Sequence, residues 1–232
     1  MNQYEYEYSF DKPKNDVAIQ PLMRQVYIWM TAGLGVTTLV AFLTITTSLI
    51  NVVASNPLIF YGALFGEIGL VWWLSANLNR IQTGTALTLF FVYSALNGLT
   101  LSLVLLIYGM GTVIPAFMTT AGVFGVMSIL AITTTIDLSK YGTYLMMGVI
   151  GLIIAMIVNM FFSNSSLDWL ISVAGVMIFT ALTAYDTQRI YRMAQEAPYG
   201  DTSKLAIMGA LKLYLDFINL FLFILRLFGR RN

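Results

Sequence analysis

The chain has 232 residues, of which 58% are hydrophobic and only 10% are charged, with Lys+Arg 12 and Asp+Glu 11. Soluble domains usually carry about 25% charged residues, so an ordinary water-soluble protein is excluded. The net charge of +1 gives no reason to expect a nucleic-acid partner. The absence of cysteine and histidine excludes disulfides, thiolate or imidazole metal sites and Ser-His-Asp triads. Carboxylates, hydroxyls, amines and the backbone must carry whatever chemistry the protein performs.

The chain begins with a polar tail, residues 1–26, and continues as one domain, residues 27–232. That domain contains seven apolar runs: 28–50, 58–78, 87–107, 113–136, 141–162, 169–185 and about 205–228. A spanning helix needs about 20 apolar residues, and lipid offers the backbone no hydrogen-bond partner. The sequence therefore predicts an all-α, polytopic membrane protein built as a bundle of seven transmembrane helices.

The basic residues predict the orientation of this bundle. Eight of them fall on one side of the predicted bundle: Lys12, Lys14, Arg24, Arg80, Lys140, Arg189, Arg192 and Lys204. The other side has only Arg230 and Arg231. The positive-inside rule then predicts a cytoplasmic amino terminus and, with seven full spans, an external carboxyl terminus. The alternative is that the last segment re-enters and ends on the cytoplasmic side.

Four charged residues lie where the apolar runs should cross the membrane or just inside its surface: Glu67, Asp186, Lys212 and Asp216. A charge at the bilayer centre costs roughly 2.5–3.5 kcal/mol, so such residues usually face the bundle interior and mark an ion or proton path. At about 1.5 Å per residue, Asp186 and Asp216 should lie level on neighbouring helices near the cytoplasmic mouth, with Lys212 reaching towards the interface.

Two carboxylates this close should share a proton or hold a cation, and should titrate as a coupled unit. Hard oxygen ligands suit Ca²⁺ better than zinc or copper, so Asp186 and Asp216 are candidate calcium ligands. The alternative is two separate pairs within single helices, Asp186 with Arg189 and Lys212 with Asp216. Glu67 should lie near mid-membrane, either as a candidate proton relay or as a protonated acid bonded to a helix carbonyl.

Three segments carry a family resemblance: EIGLVWWLSANLNRI at 67–81, ALTAYDTQRIYRM at 181–193 and GALKLYLDFINLFLFILRLFG at 209–229. The chain resembles, over nearly its whole length, the bacterial branch of the Bax inhibitor-1 family, also called the transmembrane BAX inhibitor motif family. The resemblance implies a seven-helix fold with the last helix central. It also implies a pH-sensitive calcium leak in the bacterial inner (plasma) membrane, with Asp186 and Asp216 as its proton-sharing gate.

The resemblance also draws attention to the second predicted helix. Many relatives have an arginine there that latches onto the aspartate pair in the closed form. This chain has Asn77 at that position, and Arg80, one turn further on, is a candidate replacement.

The main alternative function is a proton-coupled secondary transporter of a small metabolite. An aspartyl protease is not favoured, because Leu213, Tyr214 and Leu215 precede Asp216 where a GxGD motif would be needed. A retinal Schiff base at Lys212 would lack its carboxylate counter-ion on the third helix. We therefore expect no enzymatic activity and no cofactor beyond Ca²⁺ as a permeant or bound ion. The expected partners are the lipid bilayer, Ca²⁺ and protons.

Overall fold

The computed structural model describes residues 16–78, 80–196 and 202–229, so most of the predicted tail and the terminal arginine pair lie outside it. The described residues are almost wholly helical and include no strand. The helices are α1 (Asp16–Thr46), α2 (Leu49–Ser55), α3 (Pro57–Asn77), α4 (Thr83–Tyr108), α5 (Met110–Thr133), α6 (Gly142–Phe162), α7 (Ser165–Glu196) and α8 (Ser203–Gly229), with a 3-10 helix (Leu138–Tyr141) before α6.

Seven of these helices, all except α2, are long and apolar enough to cross a membrane. The prediction of an all-α, seven-helix transmembrane bundle is therefore confirmed. α8 is one unbroken helix over Ser203–Gly229, which favours a full span over the alternative of a re-entrant last segment. The ends of the bundle are named here by the termini: the amino-terminal face holds the start of α1, and the opposite face holds the end of α8.

Two boundaries differ from the prediction. α1 begins at Asp16, inside the predicted tail, and Leu22 and Val26 are buried in the core. The mixed polar and apolar composition of that segment hid a helix that buries only one face. α2 overlaps the end of the first apolar run and fills most of the gap before the second, and it was not predicted because a helix of seven residues is too short to leave a periodic pattern.

The last helix is the centre of the bundle, as expected. In an 18-residue apolar stretch of α8, 72% of the residues are buried inside the protein, whereas stretches of the same length in the other spans are between 11% and 44% buried. α8 packs against α1, α4, α5 and α7, while α3 and α6 lie at the periphery. Most side chains of α8 therefore meet protein rather than lipid, and Asp216, at the middle of this helix, is held inside the molecule.

Close backbone approaches hold α1, α4 and α8 together. A Cβ atom on Gly98 of α4 would overlap the main-chain oxygen of Thr37 in α1. At the same level, the Thr37 hydroxyl lies 2.6 Å from the Tyr214 hydroxyl of α8 and 2.9 Å from the Ser94 carbonyl oxygen of α4. Small residues and interhelical hydrogen bonds are the usual means of joining helices in a membrane.

The turns at the opposite face are set by local chemistry. Gly109 has φ 71 in the tight turn from α4 to α5, a conformation that glycine adopts without steric cost. Asn56 caps α3 by accepting a hydrogen bond from the Leu58 N–H, and Pro57 occupies the first helical position. Asn164 accepts from the Ser166 and Leu167 N–H groups and so caps α7. Each of these turns reverses the direction of the chain, so that the next span runs back through the bundle.

Candidate ion and proton site

The two aspartates predicted to form a pair lie on α7 and α8, which pack against each other. Asp186 is 7% exposed and Asp216 is 5% exposed. Asp186 lies ten residues before the end of α7, and Asp216 lies thirteen residues after the start of α8. Both carboxylates are therefore enclosed by the bundle, Asp186 in the half of α7 nearer the amino-terminal face and Asp216 at the middle of α8.

Lys212 joins the two helices. Its Nζ lies 3.1 Å from Oδ1 of Asp186 and donates a hydrogen bond to it. The predicted alternative paired Lys212 with Asp216 in the same helix and Asp186 with Arg189. Instead, the lysine reaches across to α7, and Arg189 is exposed and makes no ion pair with the described residues. The i, i+4 spacing of Lys212 and Asp216 was misleading, because the carboxylate within hydrogen-bond distance of the lysine is Asp186 on the neighbouring helix.

Asp216 is left with an incomplete set of hydrogen bonds. Its Oδ2 is buried and has no hydrogen-bond partner in the described part of the chain. The charges of both Asp186 and Lys212 act on this carboxyl group. A buried polar atom without a partner is costly, so this oxygen is a position where a proton or a cation would be stabilised.

Each residue of the segment YDTQ, residues 185–188, contacts a different part of the structure. The ring of Tyr185 covers Gly142 at the start of α6, where a Cβ would clash with it. Asp186 bonds to Lys212, and the Thr187 hydroxyl lies 3.5 Å from the Ser128 hydroxyl of α5. Four successive residues on one helix thus tie α7 to three neighbouring elements, which fixes the direction of the Asp186 side chain.

Gln188, which the sequence analysis did not single out, completes this arrangement. Its amide nitrogen donates to the carbonyl oxygens of Ala131 (3.3 Å) and Ile136 (2.9 Å), and its Oε1 accepts from the Leu138 N–H at 2.8 Å. Gln188 therefore holds the end of α5 and the connection to α6 against α7. Its place beside Asp186 in the YDTQ string was the only sequence signal for it.

A second contact holds the same connection at the surface. Arg192 Nη1 lies 2.7 Å from Oδ1 of Asp137, and that oxygen also accepts from the Ser139 hydroxyl and N–H. These Ser139 hydrogen bonds, with the charge of Arg192, hold the pKa of the Asp137 carboxyl below its ordinary value. Since both Asp137 and Arg192 are 41% exposed, the pair adds orientation more than stability.

Glu67 lies midway along α3 and is buried, as its predicted depth requires. Its Oε2 accepts from the Asn97 amide at 3.1 Å, and its Oε1 lies 2.7 Å from the Thr100 hydroxyl. The same hydroxyl is 3.0 Å from the Asn97 carbonyl oxygen. Because one hydroxyl proton serves one of these two acceptors, Glu67 can be ionised and accept from Thr100, or be protonated and donate to it. The structure thus gives Glu67 side-chain partners on α4.

The two latch candidates are not brought to the aspartates. The Asn77 amide donates to the Trp73 carbonyl oxygen in its own helix at 2.9 Å, and Arg80 is exposed on the turn after α3. α3 packs mainly against α4 and α2. Within the described residues, neither side chain makes a hydrogen bond or an ion pair with Asp186 or Asp216.

The donor set for a metal ion is small. No group of three or more acidic residues lies together in the described ranges. Ca²⁺ usually takes six to eight oxygen ligands, so Asp186 and Asp216 would hold it only together with water or carbonyl oxygens.

Comparison with known proteins covers nearly the whole chain. Residues 19–232 match the family model described as "Inhibitor of apoptosis-promoting Bax1". The inner membrane protein YbhL of Escherichia coli (strain K12) is 41% identical over 230 residues, which cover 95% of this chain and 98% of YbhL. A protein of Borreliella burgdorferi is 44% identical over 224 residues, or 94% of this chain and 96% of that protein. A protein of Deinococcus radiodurans is 41% identical over 216 residues, or 92% of each.

Proposed function

The chain belongs to the Bax inhibitor-1 family, as its sequence motifs indicated, and we propose that it is a pH-sensitive, calcium-permeable leak channel rather than an enzyme. Its aspartate pair, Asp186 and Asp216, is the proposed gate. The similarity to the inner membrane protein YbhL supports residence in a bacterial inner membrane. The excess of basic residues at the amino-terminal face supports a cytoplasmic amino terminus. Activity of a cytoplasm-only reporter fused after Asn232 would contradict that orientation.

The observation that carries the proposal is the buried, unpartnered oxygen of Asp216 beside an already paired Asp186. With Asp216 protonated, the cluster of Asp186, Lys212 and Asp216 is neutral. When Asp216 loses its proton, two carboxylates face one ammonium group and the cluster is negative. It then attracts a cation, and the repulsion between the carboxylates favours separation of α7 and α8.

Lys212 competes with the permeant ion for the position beside Asp186. Its ammonium group occupies the position beside Asp186 that a cation would need, at 3.1 Å. Its side chain is one-third exposed, so it can leave that position towards the amino-terminal face without being buried elsewhere. In the proposed cycle, an arriving Ca²⁺ displaces the lysine and bridges the two carboxylates.

Glu67 is the proposed proton relay. The charge of Glu67 acts on the hydroxyl groups of Tyr93 and Tyr214, and Tyr214 lies two residues before Asp216 on α8. Glu67 also keeps its hydrogen bonds in either protonation state, so it can take up and pass on a proton without moving.

The experiment is calcium flux through the purified full chain in liposomes, measured over a range of pH. We expect downhill flux in the wild type that needs no counter-substrate and varies with pH. Asp216→Asn should lower the flux several-fold and flatten its pH dependence, while the exposed Asp137→Asn serves as the matched control. Flux that is saturable and requires an imposed pH gradient would instead support the proton-coupled transporter. An unchanged pH profile in Asp216→Asn would reject the gate.

A further inference from the structure

A cleft runs along the outside of the bundle between α1 and α5. These two helices pack mainly against other helices, and two adjoining cavities of about 260 and 460 Å³ lie between them. Both cavities are lined by Leu34, Phe117 and Phe217, so they adjoin at the level of these three side chains and are together called the α1–α5 cleft. Because α1 and α5 are membrane-spanning helices, this cleft opens sideways into lipid.

The walls and the length of the cleft suit a hydrocarbon chain. Most of its lining side chains are aliphatic or aromatic, and its floor is α8, where the Phe217 ring lies 5.5 Å from the ring of Phe117. From Tyr27 to Ile45, α1 borders the cleft over eighteen residues, or about 27 Å at the rise of an α-helix. The hydrocarbon core of a membrane is about 30 Å thick, so the cleft follows nearly the whole depth available to two lipid leaflets.

One polar atom in the larger cavity has no protein partner. The hydroxyl oxygen of Tyr27 is buried and makes no hydrogen bond to any described residue, although Tyr27 lines this cavity. A buried hydroxyl left unpaired costs about 1–3 kcal/mol. An occupant that carries an oxygen atom at this level would remove that cost once the Tyr27 side chain turns its hydroxyl into the cavity, whereas a plain hydrocarbon would not.

A cation stands one turn beyond Tyr27 on the same side of α1. The residues of α1 that line the cleft recur every three or four positions, and Arg24 continues that series towards the amino-terminal face. Arg24 is exposed, and a guanidinium group binds phosphate oxygens through two hydrogen bonds. From the amino-terminal face along α1, a cation comes first, then a hydroxyl group, and then an apolar wall. That order matches the phosphate, ester and acyl chain of a phospholipid.

We propose that the α1–α5 cleft binds one phospholipid from the leaflet at the amino-terminal face. Its phosphate lies at Arg24, an ester oxygen accepts a hydrogen bond from Tyr27, and one acyl chain lies along Gly125 towards Phe117. The site is separate from the aspartate pair and does not depend on the proposed channel activity.

The test uses two glycines of α5. A Cβ on Gly125, which lines the larger cavity, would meet no atom within 4 Å, and the same is true of Gly122, which lines neither cavity. Gly125→Leu therefore fills the cleft, and Gly122→Leu is a matched control that adds the same side chain outside it. We would measure retention of phosphatidylglycerol by native mass spectrometry of the full chain in detergent. We expect one retained lipid in the wild type and in Gly122→Leu, and several-fold lower retention in Gly125→Leu. Equal retention in all three proteins would overturn the site.

The head-group contacts need a second comparison, between phosphatidylglycerol and a diacylglycerol with the same acyl chains. The wild type should retain phosphatidylglycerol several-fold better, since only this lipid carries a phosphate. Arg24→Gln should remove that preference, and because the side chain is exposed the variant should fold. Tyr27→Phe should weaken retention of both lipids, since both carry ester oxygens. No preference in the wild type, or an undiminished preference in Arg24→Gln, would overturn the proposed orientation of the lipid.

Discussion

Two buried acids of this protein differ in how their oxygens are satisfied. Glu67, at mid-membrane, has a side-chain partner from α4 for each carboxyl oxygen. Asp216, at the middle of α8, has one oxygen without a partner, and it lies in the field of Asp186 and Lys212. A fully bonded acid can exchange a proton with little movement of its neighbours. An incompletely bonded acid favours whatever supplies the missing partner, whether a proton, a cation or a rearranged helix.

The largest effect on the less satisfied cluster should come from Lys212→Met. Asp186 would lose its 3.1 Å partner while staying buried, so we expect the free energy of unfolding to fall by roughly 1–3 kcal/mol. The loss is no larger because the lysine is one-third exposed, and water screens its attraction to Asp186. Unfolding by SDS in mixed micelles, followed by circular dichroism, would measure this loss. Adding Asp186→Asn should restore part of the stability, and a Lys212→Met variant as stable as the wild type would show that the ion pair is unimportant.

A smaller effect is expected from Glu67→Gln at the satisfied site. Glutamine can accept from the Asn97 amide and donate to the Thr100 hydroxyl, which then donates to the Asn97 carbonyl oxygen. The free energy of unfolding should change by less than about 1 kcal/mol, because no hydrogen bond is lost. The pH at the midpoint of the calcium-flux profile should not change. The flux should respond more slowly to a pH jump, since glutamine carries no acid proton to exchange. A shifted midpoint would mean that Glu67, and not the aspartate pair, senses the pH.

The smallest effect should follow from Asp137→Asn, at the exposed end of the α5–α6 connection. The pKa of Asp137 lies below its ordinary value of 3.8, so its contacts stabilise the protein above that pH and are lost as the pH falls through the lowered value. The variant should be slightly less stable than the wild type at neutral pH, and this difference should shrink below about pH 4 and vanish only below the lowered pKa of Asp137. Thermal unfolding at a series of pH values would measure it. A difference that persists in acid would mean that the contribution does not come from the charge of Asp137.

The sequence was sufficient to predict the seven spans, because a run of about 20 apolar residues has one stable conformation in lipid. It also placed Glu67, Asp186 and Asp216 inside the bundle, since the helical rise converts position into depth. The start of α1 was missed, because a helix that is half polar at its end resembles a tail.

The partners of the polar side chains could not be predicted in the same way. Lys212 stands four residues before Asp216, yet it bonds to Asp186, because the packing of α7 on α8 decides which carboxylate is nearer. The contacts of Gln188 are to main-chain oxygens more than fifty residues away in sequence. No local sequence pattern predicts contacts of this kind, since they depend on the relative orientation of the packed helices.

The central claim is that Asp186 and Asp216 act as one unit, and a double-variant cycle tests it most directly. Calcium flux against pH would be measured in liposomes for the wild type, Asp186→Asn, Asp216→Asn and the double variant, each checked for folding by circular dichroism. We predict that either single change flattens the pH dependence and that the second change adds little, because removing one carboxylate already abolishes the repulsion between the two. Single variants that keep the wild-type pH profile, or two effects that simply add, would contradict the account.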